Sequence, residues 1–236
     1  MITKAQQKLI RSLEQKKYRQ REGLFVAEGP KVVGDLIEAG YEPVMLFRDD
    51  DVRQVSFLQH PQGVLAVFRL PDSCQQKQDA AVSLSPQSLA LALDGVQDPG
   101  NLGTIIRIAD WFGIDTIYCS ADTADAWAPK VVQATMGSIA RVHILYTDLA
   151  QVLDEAEKAQ VPIYGTLLDG RDIYHEELTA NGIIVMGNEG NGISQPIRQR
   201  ITRQLLIPDF HQGTTADSLN VAIATAITCS EFRRRL

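Results

Sequence analysis

Leu89-Ala-Leu-Ala-Leu-Asp-Gly-Val-Gln-Asp-Pro-Gly-Asn-Leu-Gly-Thr-Ile-Ile-Arg-Ile-Ala-Asp-Trp111 contains a strand, a turn and a helix in 23 residues. The apolar run at its start has strand length, and the reading predicts a strand over Leu89–Val96. Pro99 and Gly100 make the turn, and Asn101 is placed to cap a helix over 102–112. At about 100° per residue, Leu102, Ile105, Ile106 and Ala109 share one face of that helix. Arg107 falls nearly opposite, beside Thr104, Ile108 and Trp111. Two readings of that second face stay open: a solvated arginine among stray apolar residues, or a face buried by a partner that holds Arg107 at a site.

The same texture continues to the end of the chain. Strands are expected at Thr116–Cys119, Val142–Tyr146, Pro162–Leu168, Ile183–Met186 and Gln204–Ile207. Helices are expected over 129–139, 149–159, 194–201 and 218–234. Near-continuous apolar strands separated by helices indicate a parallel sheet covered on both faces, an α/β fold. Upstream lies a smaller α/β unit. It has a polar helix from Thr3 to about Arg21 with Leu9, Ile10 and Leu13 as its apolar stripe, then a strand at Leu24–Ala27. A helix from Lys31 to Ala39 is stopped by Gly40, and strands follow near Pro43–Arg48 and Gly63–Leu70. The segment from Pro71 to Pro86, rich in Gln, Ser and Asp, reads as a linker. The expected division is therefore 1–70, a linker over 71–87, and 88–236.

Composition narrows the function. The three cysteines, Cys74, Cys119 and Cys229, and the four histidines are scattered, which argues against a disulfide framework and leaves no metal site expected. No apolar run suggests a membrane span, and the basic N-terminus lacks the apolar core of a secretory signal, so a cytoplasmic protein is expected. The net charge of −6 is unevenly spread. Residues 1–31 carry eight Lys/Arg against three acids, and 198–236 carry six against three. Clustered basic charge is the electrostatic footprint of a nucleic-acid partner, although it also describes a merely solvated helix face.

Two further segments carry chemistry. Ile183-Ile-Val-Met-Gly-Asn-Glu-Gly-Asn-Gly192 places a glycine-rich loop at the carboxyl end of a buried strand, where open α/β sheets bind ligands. Its order, G-x-x-G-x-G, is neither the dinucleotide fingerprint nor a phosphate loop, and a purely structural turn is a competing reading. Glu189, its sole acid, is suited to orienting an arginine or a ligand amine. The third segment runs from Leu205-Leu-Ile-Pro-Asp209 to Asp217-Ser-Leu-Asn220. Ser218 is a natural N-cap for a helix that is apolar on almost every side, and so is expected to be deeply buried or shared between subunits. Asn220 on its first turn reads as a buried amide needing partners, hence as a site residue. Ser218 lacks the context of a hydrolase nucleophile.

Taken together and in this order, the three segments resemble the three motifs of the SpoU/TrmH family of RNA methyltransferases, in the SPOUT superfamily. Asn101 and Arg107 fall on the first motif, Gly187 and Glu189 on the second, and Ile207, Pro208, Ser218, Leu219 and Asn220 on the third. Residues 1–70, including Arg21 and Val26-Ala-Glu-Gly29, resemble the ribosomal-protein-like RNA-binding domain that precedes many such enzymes. The stretch from Pro208 to Ser218 is about three residues longer than the family usually has, and Asp217 stands where Glu is common. The resemblance implies a deep trefoil knot in the C-terminal SPOUT domain, a homodimer, and S-adenosylmethionine held by backbone around Gly187, Ile207 and Leu219, with Thr166 beside it.

It further implies methylation of a ribose 2′-hydroxyl in RNA. Ribosomal RNA is favoured over transfer RNA by the N-terminal domain, with Lys8, Arg11 and Arg21 as its RNA contacts. Arg107 is implied as the essential group, with Asn101, Glu189, Ser218 and Asn220 positioning it, the ribose and the cofactor. Its role is open between a base and an electrostatic anchor, because a guanidinium holds its proton in nearly any protein setting. A non-catalytic RNA-binding protein on the same fold is the alternative. A nicotinamide oxidoreductase is disfavoured by the order of the glycines.

Overall fold

The computed structural model describes residues 2–71, 88–211 and 217–234. The expected linker lies almost wholly outside the described residues, as does Cys74. The chain forms two compact units, Met1–Lys77 with Asp125–Arg141, and Gln78–Ala124 with Val142–Leu236.

The first unit is built on an antiparallel sheet of β1 (Leu24–Glu28), β2 (Pro43–Arg48) and β3 (Val64–Arg69), in the order β1-β3-β2. Side chains alternate across a strand. Leu24 and Val26 therefore join Ile10, Leu13, Leu65 and Val67 in one apolar cluster, while Phe25 turns to the other side and stacks on Phe68. The single N-terminal helix expected from the sequence is two: α1 (Lys4–Ser12) and α2 (Lys16–Glu22). Thr3 and Gln6 close a capping box at the start of α1. Arg19 explains the break, because it is 2% exposed and donates to the carbonyls of Leu13 (2.6 Å) and Glu14 (2.7 Å) beyond the end of α1. α3 (Pro30–Glu38) ends as expected, with Gly40 at φ 90. A short α4 (Asp50–Arg53) was not anticipated.

The helix expected at 129–139 belongs to this unit and not to the C-terminal one. It is α6 (Pro129–Ala134) followed by a 3-10 turn at Ser138–Ala140, and α6 packs on β1. Trp127 sets its ring 4.7 Å from that of Phe25, and Asp125 accepts from the Arg19 guanidinium at 2.5 Å.

The second unit is the expected α/β layer structure. Its six strands, β4 (Leu89–Asp94), β5 (Thr116–Cys119), β6 (His143–Tyr146), β7 (Ile163–Asp172), β8 (Gly182–Gly187) and β9 (Arg203–Leu206), lie in the order β6-β5-β4-β8-β7-β9 with every pairing parallel. Ala90 and Ala92 of β4 share a core with α7 (Leu149–Lys158) and with Ile197 of α8 (Gln195–Arg198). The predicted stripe of α5 (Pro99–Trp111), Leu102, Ile105, Ile106 and Ala109, is fully buried. α9 (Val221–Arg234) packs against α5. β7 is longer than expected because Leu167–Gly170 bulge out between two pairings to Leu205. Only glycine fits at 170, since a Cβ there would stand 2.6 Å from the Leu205 carbonyl oxygen.

Candidate active site

The three motif segments meet at the carboxyl ends of the central strands. After β4 the chain turns through Gly95 (φ 73), and Asp98 caps α5 by accepting from the Asn101 N–H at 2.8 Å. The cap is thus Asp98, in place of the Asn101 expected from the sequence. The exchange of roles matters chemically: Asn101 lies within the first turn with its side-chain amide free to work elsewhere.

The loop after β8 folds back on itself. Asn188 and Gly192 exchange both backbone bonds, at 3.0 and 2.9 Å. A Cβ on Gly187 would collide with the backbone of Gly192 and Ile193, only 2.7 Å from the Gly192 oxygen. Three side chains fasten this loop to the segment before α5. Asn188 donates to the Gly95 carbonyl at 2.7 Å, and Asp94 accepts from the Ser194 N–H at 2.7 Å. Glu189 accepts from the Gln97 N–H, the Asp98 N–H and the Asn101 amide at 3.2, 3.2 and 3.0 Å. Partial burial alone would raise the Glu189 pKa, but those hydrogen bonds together hold it below the ordinary glutamate range. Its partners among the described residues are an amide and backbone donors, with no arginine among them.

Asn220 completes the chain of bonds. It is exposed, not buried, and its Oδ1 caps α9 by accepting from the N–H groups of Ala222 (2.9 Å) and Ile223 (3.3 Å). Ser218 is accordingly not the cap, and α9 begins three residues later than expected. The Asn220 amide donates to Asn101 Oδ1 at 2.9 Å. One residue from each motif thus enters a relay, Asn220 to Asn101 to Glu189, in which every amide end has a partner.

Beside this relay lies a cavity of about 610 Å³. Thr166, Gly187, Glu189, Ile207, Ser218 and Leu219 line it, which unites six of the nominated residues. Asn101, Asn220 and Arg107 do not line it. Leu167, Leu168 and Asp169 of the β7 bulge line it without having been foreseen, and so does Arg198, which pairs with Asp169. Gly170 was the available signal, because an isolated glycine in a strand marks a bulge. Arg107 stands exposed on α5 with no hydrogen-bond partner among the described residues. On the same helix Trp111 is 85% exposed, and α9 exposes Ile223. The outer side of α9 is thus uncovered, whereas its inner side, with Val221, Ala222 and Phe232, is buried.

In the first unit the nominated Lys8 and Arg11 lie on α1 and Arg21 on α2, all exposed. Arg11 donates to the Gln54 carbonyl, and Arg21 pairs with Glu22. Among the described residues no helix is long and apolar enough to cross a membrane.

Residues 88–230 match the model of the SpoU rRNA Methylase family, and residues 4–54 match that of the MRM3-like substrate binding domain. The Bacillus subtilis 23S rRNA (guanosine(2553)-2'-O)-methyltransferase RlmP is 32% identical over 211 residues, covering 89% of this chain and 79% of that protein. The solved structure of an AdoMet-bound rRNA methyltransferase from Sinorhizobium meliloti superposes with a TM-score of 0.82 at 30% identity, over 100% of this chain and 97% of the other. A TrmH-family structure from Porphyromonas gingivalis gives 0.87 at 40% identity over the whole of both chains. With three motifs joined through one hydrogen-bonded relay and a family match spanning nearly all of the second unit, the chain belongs to the SpoU rRNA methylase family.

Proposed function

We propose that this protein is an S-adenosylmethionine-dependent methyltransferase that methylates a ribose 2′-hydroxyl in ribosomal RNA. The observation that carries the proposal is the cavity at the ends of β7, β8 and β9, lined by residues of the second and third motifs. Its size lies within the ~300–1,000 Å³ of small-molecule sites. Its chemistry suits the cofactor. Leu167, Met186, Leu206 and Val221 offer apolar walls, and among the described lining residues Arg198 is paired with Asp169 while Glu189 and Asp217 remain as further acids, which favours a cationic sulfonium. Bound there, S-adenosylmethionine supplies an electrophilic methyl group.

Much of the remaining work is positioning. The Asn220–Asn101–Glu189 relay fixes the loops that shape the cavity, and Ser218 and Thr166, in its lining, would help to hold the cofactor. Arg107 acts as an electrostatic anchor for an RNA phosphate and for the alkoxide that develops on the ribose, since a guanidinium is a poor base. Because Arg107 does not line the cavity of its own chain, the complete site is that of a homodimer. Trp111 and Ile223, exposed on two helices that pack against each other, are the apolar side chains such an interface would cover. Trp111→Asp should therefore yield monomers in sedimentation and lose methyl transfer with them. A fully active monomeric variant would contradict the shared site.

Lys8, Arg11 and Arg21 mark the first unit as the RNA-substrate module, consistent with the match over 4–54. The chain of the second unit is also inferred to be tied in a deep trefoil knot, a topology otherwise rare. The protein works in the cytoplasm on this reading, where the buried free thiols of Cys119 and Cys229 would stay reduced.

Gly187→Val tests the cofactor assignment. The added side chain must push the Gly192–Ile193 backbone aside, so calorimetry should show S-adenosylmethionine affinity lowered by more than about tenfold, the loss that ~1.4 kcal/mol represents, with far-ultraviolet dichroism retained. Unchanged affinity would place the cofactor elsewhere.

A further inference from the structure

The helix α2 presents Lys17, Tyr18 and Arg21 as one cluster. The Lys17 ammonium lies 4.8 Å and the Arg21 guanidinium carbon 4.9 Å from the centroid of the Tyr18 ring. Tyr18 is half-buried, and among the described residues its ring meets no other aromatic ring and its hydroxyl no hydrogen-bond partner. The helix beneath is unusually well fixed for one so short. Its buried Arg19 is bonded to the Leu13 and Glu14 carbonyls and to Asp125, and Gly23 closes it in the left-handed conformation. Arg21 also pairs with Glu22, but both groups are solvent-accessible, and such a pair is weak enough for a phosphate to displace.

An aromatic face held between two cations, on a rigid element and in a basic region, matches what an unpaired nucleotide requires. The two exposed cations swing off the ring to take the flanking phosphates, which frees a ring face for the base to stack on. A duplex would not serve, because its base faces are already stacked and recognition there runs through shape and backbone. We propose that Tyr18 is a stacking platform for an unpaired base of the RNA substrate, with Lys17 and Arg21 on the adjoining phosphates. The proposal rests on RNA being the substrate and adds which part of it the first unit reads.

The test uses the full-length protein and two fluorescein-labelled probes, an unstructured single-stranded oligoribonucleotide and a duplex RNA of equal length, titrated at several salt concentrations. Tyr18→Ala should weaken single-strand binding roughly tenfold, within the range for one stacked base, and leave the salt slope and the duplex affinity unchanged. Tyr18→Phe should bind like the wild type, since the ring is retained. The double variant Lys17→Gln/Arg21→Gln should lower the single-strand salt slope by about 1.4, or ~0.7 for each phosphate no longer neutralised. Wild-type affinity in Tyr18→Ala, or an equal loss on both probes, would overturn the platform while leaving the substrate class intact. Failure of the wild-type protein to bind either RNA would overturn the reading of the substrate itself, and the platform with it.

Discussion

Arg107→Ala is expected to lower methyl transfer to RNA by a factor on the order of 10²–10³, the loss seen when one preorganised donor to a developing oxyanion is removed. The same variant should keep its fold, its dimer and its affinity for S-adenosylmethionine. Three features of the structure separate these outcomes. The side chain is exposed and bonded to nothing among the described residues, so its removal orphans no buried group. It does not line the cavity proposed for the cofactor. The stripe that holds α5 in place, Leu102, Ile105, Ile106 and Ala109, lies on the other side of the helix. Arg107→Lys should recover only part of the loss, because an ammonium keeps the charge but not the planar fork that grips a phosphate through two bonds. Full activity in Arg107→Ala would remove the proposed mechanism, whereas a parallel loss of cofactor affinity would mean that the arginine acts on the cofactor.

Arg19→Ala should destabilise the protein by about 3–5 kcal/mol, the usual cost of removing one partner of a buried ion pair. Arg19 is 2% exposed, and its partner Asp125 retains 15% of its side-chain exposure. Truncation would strand the Asp125 carboxylate and leave the Leu13 and Glu14 carbonyls without their donor. Urea unfolding at pH 7 reads the loss as a lower midpoint, and Arg19→Met with Asp125→Leu should be milder than either single change. A loss under about 1 kcal/mol would mean that the pair is no more than a surface contact.

The layer structure of the second unit was legible because its strands are continuous apolar runs and its helix α5 carries a clean stripe. What escaped was whatever periodicity does not encode. In the sequence Arg19 is one of several basic residues of a polar helix, yet it is the residue that divides the helix. The segment 129–139 has the right pattern for a helix, but a pattern shows which face is apolar and not which sheet covers it; Trp127 against Phe25 decides that. Both capping assignments slipped by a few residues, to Asp98 and Asn220, because several cap-forming residues stand close together in each loop and only geometry chooses among them. Six of the nominated residues line one cavity, five of them taken from the second and third motifs. Their bonding was not foreseeable: Glu189 turned out to serve Asn101 and two backbone donors, and the β7 bulge contributed lining residues that only Gly170 had hinted at.

One measurement addresses the transfer of a methyl group to a ribose oxygen directly. Unmethylated ribosomal RNA is incubated with the purified protein and methyl-labelled S-adenosylmethionine, then digested with alkali, which cleaves after every nucleotide whose 2′-hydroxyl is free. Label is expected in an alkali-resistant dinucleotide with the wild-type protein, and on the order of 10²–10³ less of it with Arg107→Ala. Label released in mononucleotides would place the methyl group on a base, and no incorporation into any RNA offered would contradict the assignment of methyl transfer itself.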